Sequence, residues 1–161
     1  MTRTRPAATL SGVEALAHDD VIALQRPRVG DAERLVAGRD DEWRRWLGPE
    51  SDAPNPTACI IVGGSLVGWV DYDTDRTWLQ QGEVNVGYSV FAAHRGRGYA
   101  TRAVLLLLDH LARTTEHHTA TLLINADNVQ SLGVAAKLSC LEYAPMGASR
   151  YFKMPIERLH P

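Results

Sequence analysis

The stretch that most constrains the fold runs from Glu83 to Leu111. Glu83 to Phe91 alternates, with Val84, Val86, Tyr88 and Val90 on one face and Glu83, Asn85, Gly87 and Ser89 on the other, so it reads as a strand. From Ala100 onward, Ala103, Val104, Leu107, Leu108 and Leu111 recur at helical spacing, and Leu105 and Leu106 widen the stripe. A well-buried helix follows. Between strand and helix lies His94-Arg95-Gly96-Arg97-Gly98-Tyr99-Ala100-Thr101. Gly96 and Gly98 allow close approach of the backbone to a ligand, and the helix start presents unpaired N–H groups with a partial positive charge. A phosphate fits there, and Arg95 and Arg97 could pair with its oxygens. Two glycines alone read as readily as a turn flanked by solvated arginines. The G-x-G-x-x-G and G-x-x-x-x-G-K-[ST] phosphate motifs are both excluded by spacing.

The rest of the chain builds around this unit. Residues 1–20 read as a loose tail, with capping-box spacing at Ser11 to Glu14 permitting one short helix through Leu16 and Ala17. Val21 to Gln25 reads as a first strand, and Asp31 as the N-cap of a helix through Val36. Asp40 or Asp41 caps a second helix with Trp43, Trp46 and Leu47 on one face. Thr57 to Val62 and Ser65 to Tyr72 are β-rich runs joined by Gly63-Gly64, a two-residue hairpin signature. His118 to Ile124 reads as a further strand, and Asp127 with Gln130 as the start of a helix ending near Leu138. Leu141 to Ala144 and Arg150 to Met154 supply the last strands, joined through Pro145 and Gly147. Residues 21–161 thus read as a single domain of the mixed α/β class, a mostly antiparallel sheet flanked by helices.

Composition narrows the partners. Hydrophobic residues at 45% and charged residues at 22% are ordinary globular usage, and a net charge of −2 gives no general attraction to nucleic acid. The longest apolar run, Ala103 to Leu108, is far below the ~20 residues of a membrane span. With no signal-like segment after Arg3 and Arg5, a cytoplasmic location is expected. Cys59 and Cys140 lack metal-site or disulfide-framework spacing, and the adjacent His117 and His118 would point to opposite faces of a strand, so no metal is expected.

From Arg95 to Ala100 the chain resembles the R/Q-x-x-G-x-G/A element of the GNAT superfamily of N-acetyltransferases. Asn125 to Ser131 and Val134 to Leu138 resemble the same family's N-x-x-S-x-x-V-A-x-K-L element. The similarity is closest to the branch that acetylates N-termini of ribosomal proteins and to small-molecule relatives. Leu24-Gln25-Arg26-Pro27 and Asp31-Ala32-Glu33 extend it upstream. The resemblance implies a GNAT-like sheet with a V-shaped opening for acetyl-CoA, the amides of the glycine loop on the pyrophosphate and the preceding strand beside the pantetheine arm. It implies an amine acceptor, either a small molecule or a protein N-terminus. Many relatives form dimers, and an exposed C-terminal edge strand could pair with a second copy. Two departures stand out: Ser139-Cys140 replaces a Gly-aromatic pair, and Ala135 replaces a tyrosine thought to protonate the leaving thiolate.

The resemblance places Val90, Phe91, Arg95, Gly96, Arg97, Gly98, Tyr99, Ala100, Thr101, Asn125, Asn128 and Ser131 around the cofactor, with the N–H groups near Val90 and Phe91 stabilising the oxyanion. An ammonium near pKa ~10.4 must lose a proton before attack, so a base or water chain is useful. Glu83 is the candidate base and Asn85 a water-orienting neighbour on the same strand face; a solvated carboxylate is the plainer reading of Glu83. Ser131 could donate a hydrogen bond to the departing thiolate, or be a simple helix-terminus serine. Trp43, Trp46 and Tyr151 are candidates for the acceptor pocket, with core packing as the alternative. Transfer of another acyl group such as succinyl, or an acyl-CoA-binding regulatory domain without catalysis, remain rival readings.

Overall fold

The computed structural model describes residues 14–48 and 51–160, whose strands join into one eight-stranded sheet. β1 (Ala17–His18) and β2 (Ala23–Gln25) form a short hairpin, followed by α1 (Asp31–Ala37) and α2 (Asp41–Trp46). β3 (Ala58–Val62), β4 (Ser65–Asp73) and β5 (Glu83–Val90) form an antiparallel meander. A 3-10 turn at Ala92–His94 leads into α3 (Tyr99–Thr114), then β6 (Thr119–Asn125), α4 (Val129–Lys137), β7 (Leu141–Met146) and β8 (Ser149–Pro155). The order across the sheet is β1-β2-β3-β4-β5-β6-β8-β7. Every neighbouring pair is antiparallel except β5 with β6.

Local chemistry explains these elements. Gly63 and Gly64 take φ of 55° and 82°, the left-handed pair that a tight hairpin turn needs, so Val62 lies opposite Ser65. α3 turns Val104, Leu107 and Leu111 onto the sheet, where they pack with Val84, Val86 and Val90. Each such side chain contributes about 1.5–3 kcal/mol on burial. Asp109, buried on α3, accepts the N–H of Leu159 and pairs with Arg113 at 2.6 Å, which ties the C-terminal segment to this core.

The structure corrects several boundaries. Of the expected N-terminal helix, Ser11 to Val13 lie outside the described residues, and Ala17 is in β1, paired with Leu24. Part of the supposed 1–20 tail therefore belongs to the sheet. The Asp19 carboxylate accepts the N–H groups of Val21 and Ile22, making a turn that delays β2 to Ala23. Gly30, not Asp31, occupies the N-cap of α1, because Asp31 reaches back to the Arg28 N–H. Asn128, not Asp127, caps α4 by accepting from the Ser131 N–H at 3.2 Å. Pro145 lies within β7, at the irregularity between Tyr143 and Met146, which an outermost strand tolerates.

Candidate functional site

The site follows from the one parallel pair. β5 and β6 are in register only at Glu83–Thr119, Val84–Ala120 and Asn85–Thr121; beyond these the strands part. On its other side β5 stays paired with β4 as far as Gly68–Val90, and the Phe91 N–H donates to Val67 at 2.8 Å. Alternation along an antiparallel ladder then turns the backbone groups of Tyr88 and Val90 away from β4, toward the gap. β6 is likewise paired with β8 along its whole length and has its other edge free past Thr121. Two strand edges thus face each other across a cleft of about 370 Å³. Backbone donors and acceptors in such a gap require a partner, and an extended chain bearing amides supplies one.

At the mouth stands the glycine loop. Gly96 and Gly98 take φ of 75° and 79°, and Gly98 is the N-cap of α3 with no side chain capping it. The first helical N–H groups, at Tyr99, Ala100 and Thr101, therefore remain open to an anion. Gly96, Gly98, Tyr99, Ala100 and Thr101 all line the cleft, as do Val90 and Arg95. Arg95, however, is not free for a phosphate. Its Nη1 and Nη2 donate to Asp40 at 2.6 and 2.9 Å and its Nε to the Val90 carbonyl at 2.9 Å. The guanidinium beside Asp40 holds that carboxyl at about 2.

The far wall comes from β6 and α4. Asn125, Asn128 and Ser131 line the cleft, so the capping that starts α4 also places the Ser131 hydroxyl there. Across from it, burial pushes the Tyr88 phenol up to about 12, with the Ser131 hydroxyl opposing that shift. The two hydroxyls are neighbours without a fully formed hydrogen bond, because no partner meets that geometry for the buried Tyr88 oxygen. Alternation puts Tyr88 on the face it shares with the buried Val84 and Val86. Where the strands part, that face becomes a cleft wall. Ala135, at the relatives' tyrosine position, is 1% exposed and is packed into the core.

On the opposite side α2 contributes Glu42, Trp43 and Trp46, and its C-cap contributes Leu47. Both expected tryptophans are therefore at the site, and the buried Trp43 Nε1 has no hydrogen-bond partner. Glu42, absent from the sequence reading, is the one carboxylate among the described cleft-lining residues, and it accepts the Trp46 Nε1–H at 2.9 Å. Lys137 also reaches the cleft from the end of α4.

Five expected residues are not at the cleft wall. The Phe91 side chain packs with Leu35, Cys59 and Ile61, and its N–H is spent on Val67, so it cannot serve an oxyanion. Arg97 is exposed and outside the lining. Glu83 and Asn85 sit where β5 and β6 are still zipped together. Glu83 is 6% exposed and takes Lys153 Nζ at 2.6 Å on one oxygen and the Gln80 N–H at 3.1 Å on the other. Burial alone would raise its pKa, but Lys153 and Gln80 outweigh that and bring it below the ordinary carboxylate value. Both oxygens are thus engaged, and the carboxylate lies outside the cleft lining. Asn85 accepts from the Thr121 hydroxyl at 3.5 Å. Tyr151, opposite Leu123 on β8, is buried outside the lining, and its hydroxyl lies near Thr121 and Lys153 without bonding geometry to either.

Residues 21–140 match the family model described as an acetyltransferase (GNAT) domain. A search of curated protein sequences finds no match. Among solved structures, RimL, the ribosomal L7/L12 α-N-protein acetyltransferase in complex with coenzyme A, superposes with a TM-score of 0.73 at 12% identity, covering 88% of this chain and 98% of its own. The microcin C7 self-immunity acetyltransferase MccE, in complex with acetyl-CoA and AMP, gives 0.69 at 14% identity over 85% and 93%. Mycobacterium smegmatis RimJ, in complex with a CoA disulfide, gives 0.67 at 18% identity over 83% and 81%. At these identities the likeness is one of fold.

Proposed function

The chain belongs to the GNAT acetyltransferase family, an acetyl-CoA-dependent group, and from that premise we propose that it acetylates a primary amine by direct attack on acetyl-CoA held between β5 and β6. The observation that carries the reading is the coincidence, in one cleft, of an open strand edge at Tyr88 and the Val90 N–H with the uncapped start of α3. The helix start suits the pyrophosphate and the strand edge suits the two amides of the pantetheine arm. Such an arm would bring the thioester toward Val90, whose N–H would stabilise the oxyanion, while the N–H of Phe91 is already bonded to Val67.

In this reading the neutral amine nitrogen bonds to the carbonyl carbon, the C–S bond breaks, the nitrogen sheds one proton, and the departing thiolate takes up one, giving the amide and free CoA thiol. Ser131 assists departure by donating a hydrogen bond that strengthens as charge builds on sulfur. The acceptor enters past α2, where Trp43 and Trp46 supply apolar wall and Glu42 a carboxylate. Either a small amine or a protein N-terminus suits that chemistry. Asn85 could hold a water near the apex of the opening, whereas Glu83 serves by anchoring Lys153. β7 is the outer strand, with Leu141 69% and Tyr143 49% exposed, and a second copy could add there; sedimentation would show it.

The test is release of free CoA from acetyl-CoA across a panel of amines and N-terminal peptides. Amine-dependent release is expected, and Ser131→Ala should slow it at least tenfold while leaving acetyl-CoA affinity unchanged. Equal rates would remove Ser131 from the chemistry. The buried Ala135 favours a second reading, a non-catalytic acyl-CoA-binding module. Tight acetyl-CoA binding with no amine-dependent release from any acceptor would favour that module.

A further inference from the structure

Asp40 and Arg95 lie 55 positions apart and make one bidentate ion pair, Nη1 to Oδ2 at 2.6 Å and Nη2 to Oδ1 at 2.9 Å. Asp40 Oδ1 also accepts the Trp43 N–H at 2.9 Å and so caps α2. Arg95 Nε donates to the Val90 carbonyl at 2.9 Å, and Arg95 is the residue from which the glycine loop departs. Three parts of the cleft therefore meet at one pair: the tryptophan-bearing wall, the glycine loop and the last residue of β5.

We propose that the Asp40–Arg95 pair is a positioning device through which occupancy of the glycine loop sets α2, so that bound acetyl-CoA fixes the wall against which the acceptor lies. This rests on the reading of the cleft as an acetyl-CoA site. α2 has only six residues, and Trp43 is the one buried among them, so a pair that caps its N-terminus bears directly on its orientation. Gly96 and Gly98, both at positive φ, shape the loop that follows Arg95 directly, so a ligand that fixes it also fixes the backbone of Arg95. The guanidinium fork is planar, and with Nε, Nη1 and Nη2 all engaged it passes that constraint to Asp40 with little play. The pair's side chains are 24% and 31% exposed, sheltered enough for the geometry to persist against water. The arrangement also accounts for an arginine that begins a phosphate loop yet spends its donors on protein.

The test is hydrogen exchange on the full chain, with and without CoA, for wild type, Asp40→Asn and Arg95→Lys. Asparagine keeps an oxygen for the cap, so α2 stays capped while the ion pair is lost. In wild type, CoA should slow exchange both in residues 96–101 and in residues 41–47. In Asp40→Asn the loop should still respond, while the CoA-dependent slowing of α2 falls at least threefold. Arg95→Lys keeps the charge without the fork and should show the same loss. The proposal is overturned if α2 responds equally in the variants, or if wild-type α2 ignores CoA while the loop responds. It is also overturned if ligand-free Asp40→Asn exchanges along α2 as an unfolded segment does, since the pair would then merely hold the helix. Absence of any loop response in wild type has a different signature and would remove the acetyl-CoA reading itself.

Discussion

An added Cβ at Gly98 would meet no protein atom within 4 Å, yet φ is +79° there, so the requirement for glycine is conformational within the protein and steric only toward a ligand. Gly98→Val should therefore weaken CoA binding at least tenfold, about 1.4 kcal/mol, in a calorimetric titration of the folded variant. Unchanged affinity would contradict the assignment of the loop. A different role attaches to Glu83, which the strand pattern brought to a polar face and which the structure commits to Lys153. Breaking a buried pair from one side costs about 3–5 kcal/mol, and Lys153 is 17% exposed, so Glu83→Gln should cost about 2–3 kcal/mol in denaturant unfolding. Because Glu83 is shifted down and Lys153 up, this stabilisation is complete between their ordinary values of 4.5 and 10.5. It is lost as acid passes the lowered carboxyl pKa and as base passes the raised ammonium pKa. A variant as stable as wild type at neutral pH, but with an altered pH–rate profile, would restore Glu83 as a base.

Among the elements, those whose signals were local were the legible ones. The Gly63-Gly64 hairpin, the stripe of α3 and the alternation of β5 each carry their period in consecutive residues; the hairpin strands and β5 stand within a residue of their expected bounds, and α3 starts one residue before Ala100. Caps were harder, because several neighbouring polar residues could serve and backbone geometry chooses among them: Asp31 and Asp127 yield to Gly30 and Asn128. The end of α4 shows a departure that the sequence did announce. Ser139, where relatives carry glycine, is the one described non-glycine residue at positive φ, 56°. Ser139→Gly should relieve that strain and raise stability by about 0.5–1 kcal/mol, seen as a higher Tm. A lower Tm would mean that the Ser139 side chain makes a compensating contact.

For the whole molecule, the decisive feature is where an otherwise antiparallel sheet opens. The sequence showed a strand, a glycine loop and a helix in order, but a residue's distance from the crossover along β5 decides whether it faces a neighbouring strand or a gap. That is why Tyr88 was missed as a wall residue and why Glu83 and Asn85 lie off the wall, whereas Glu42 on α2 and the inward-packed Phe91 depend on contacts distant in sequence. No helix among the described residues is long and apolar enough to cross a membrane. If CoA binds the folded chain alone, saturation at a hundred times Kd should add about 2.7 kcal/mol to its stability and raise Tm accordingly. The most direct test of the cleft assignment is a crystal structure with acetyl-CoA bound. The pyrophosphate should lie on the amides of residues 96–101, the pantetheine arm between β5 and β6, and the thioester beside Val90 and Ser131, open toward Trp43. Acetyl-CoA bound elsewhere, or a thioester facing a closed wall with no path for an amine, would contradict it.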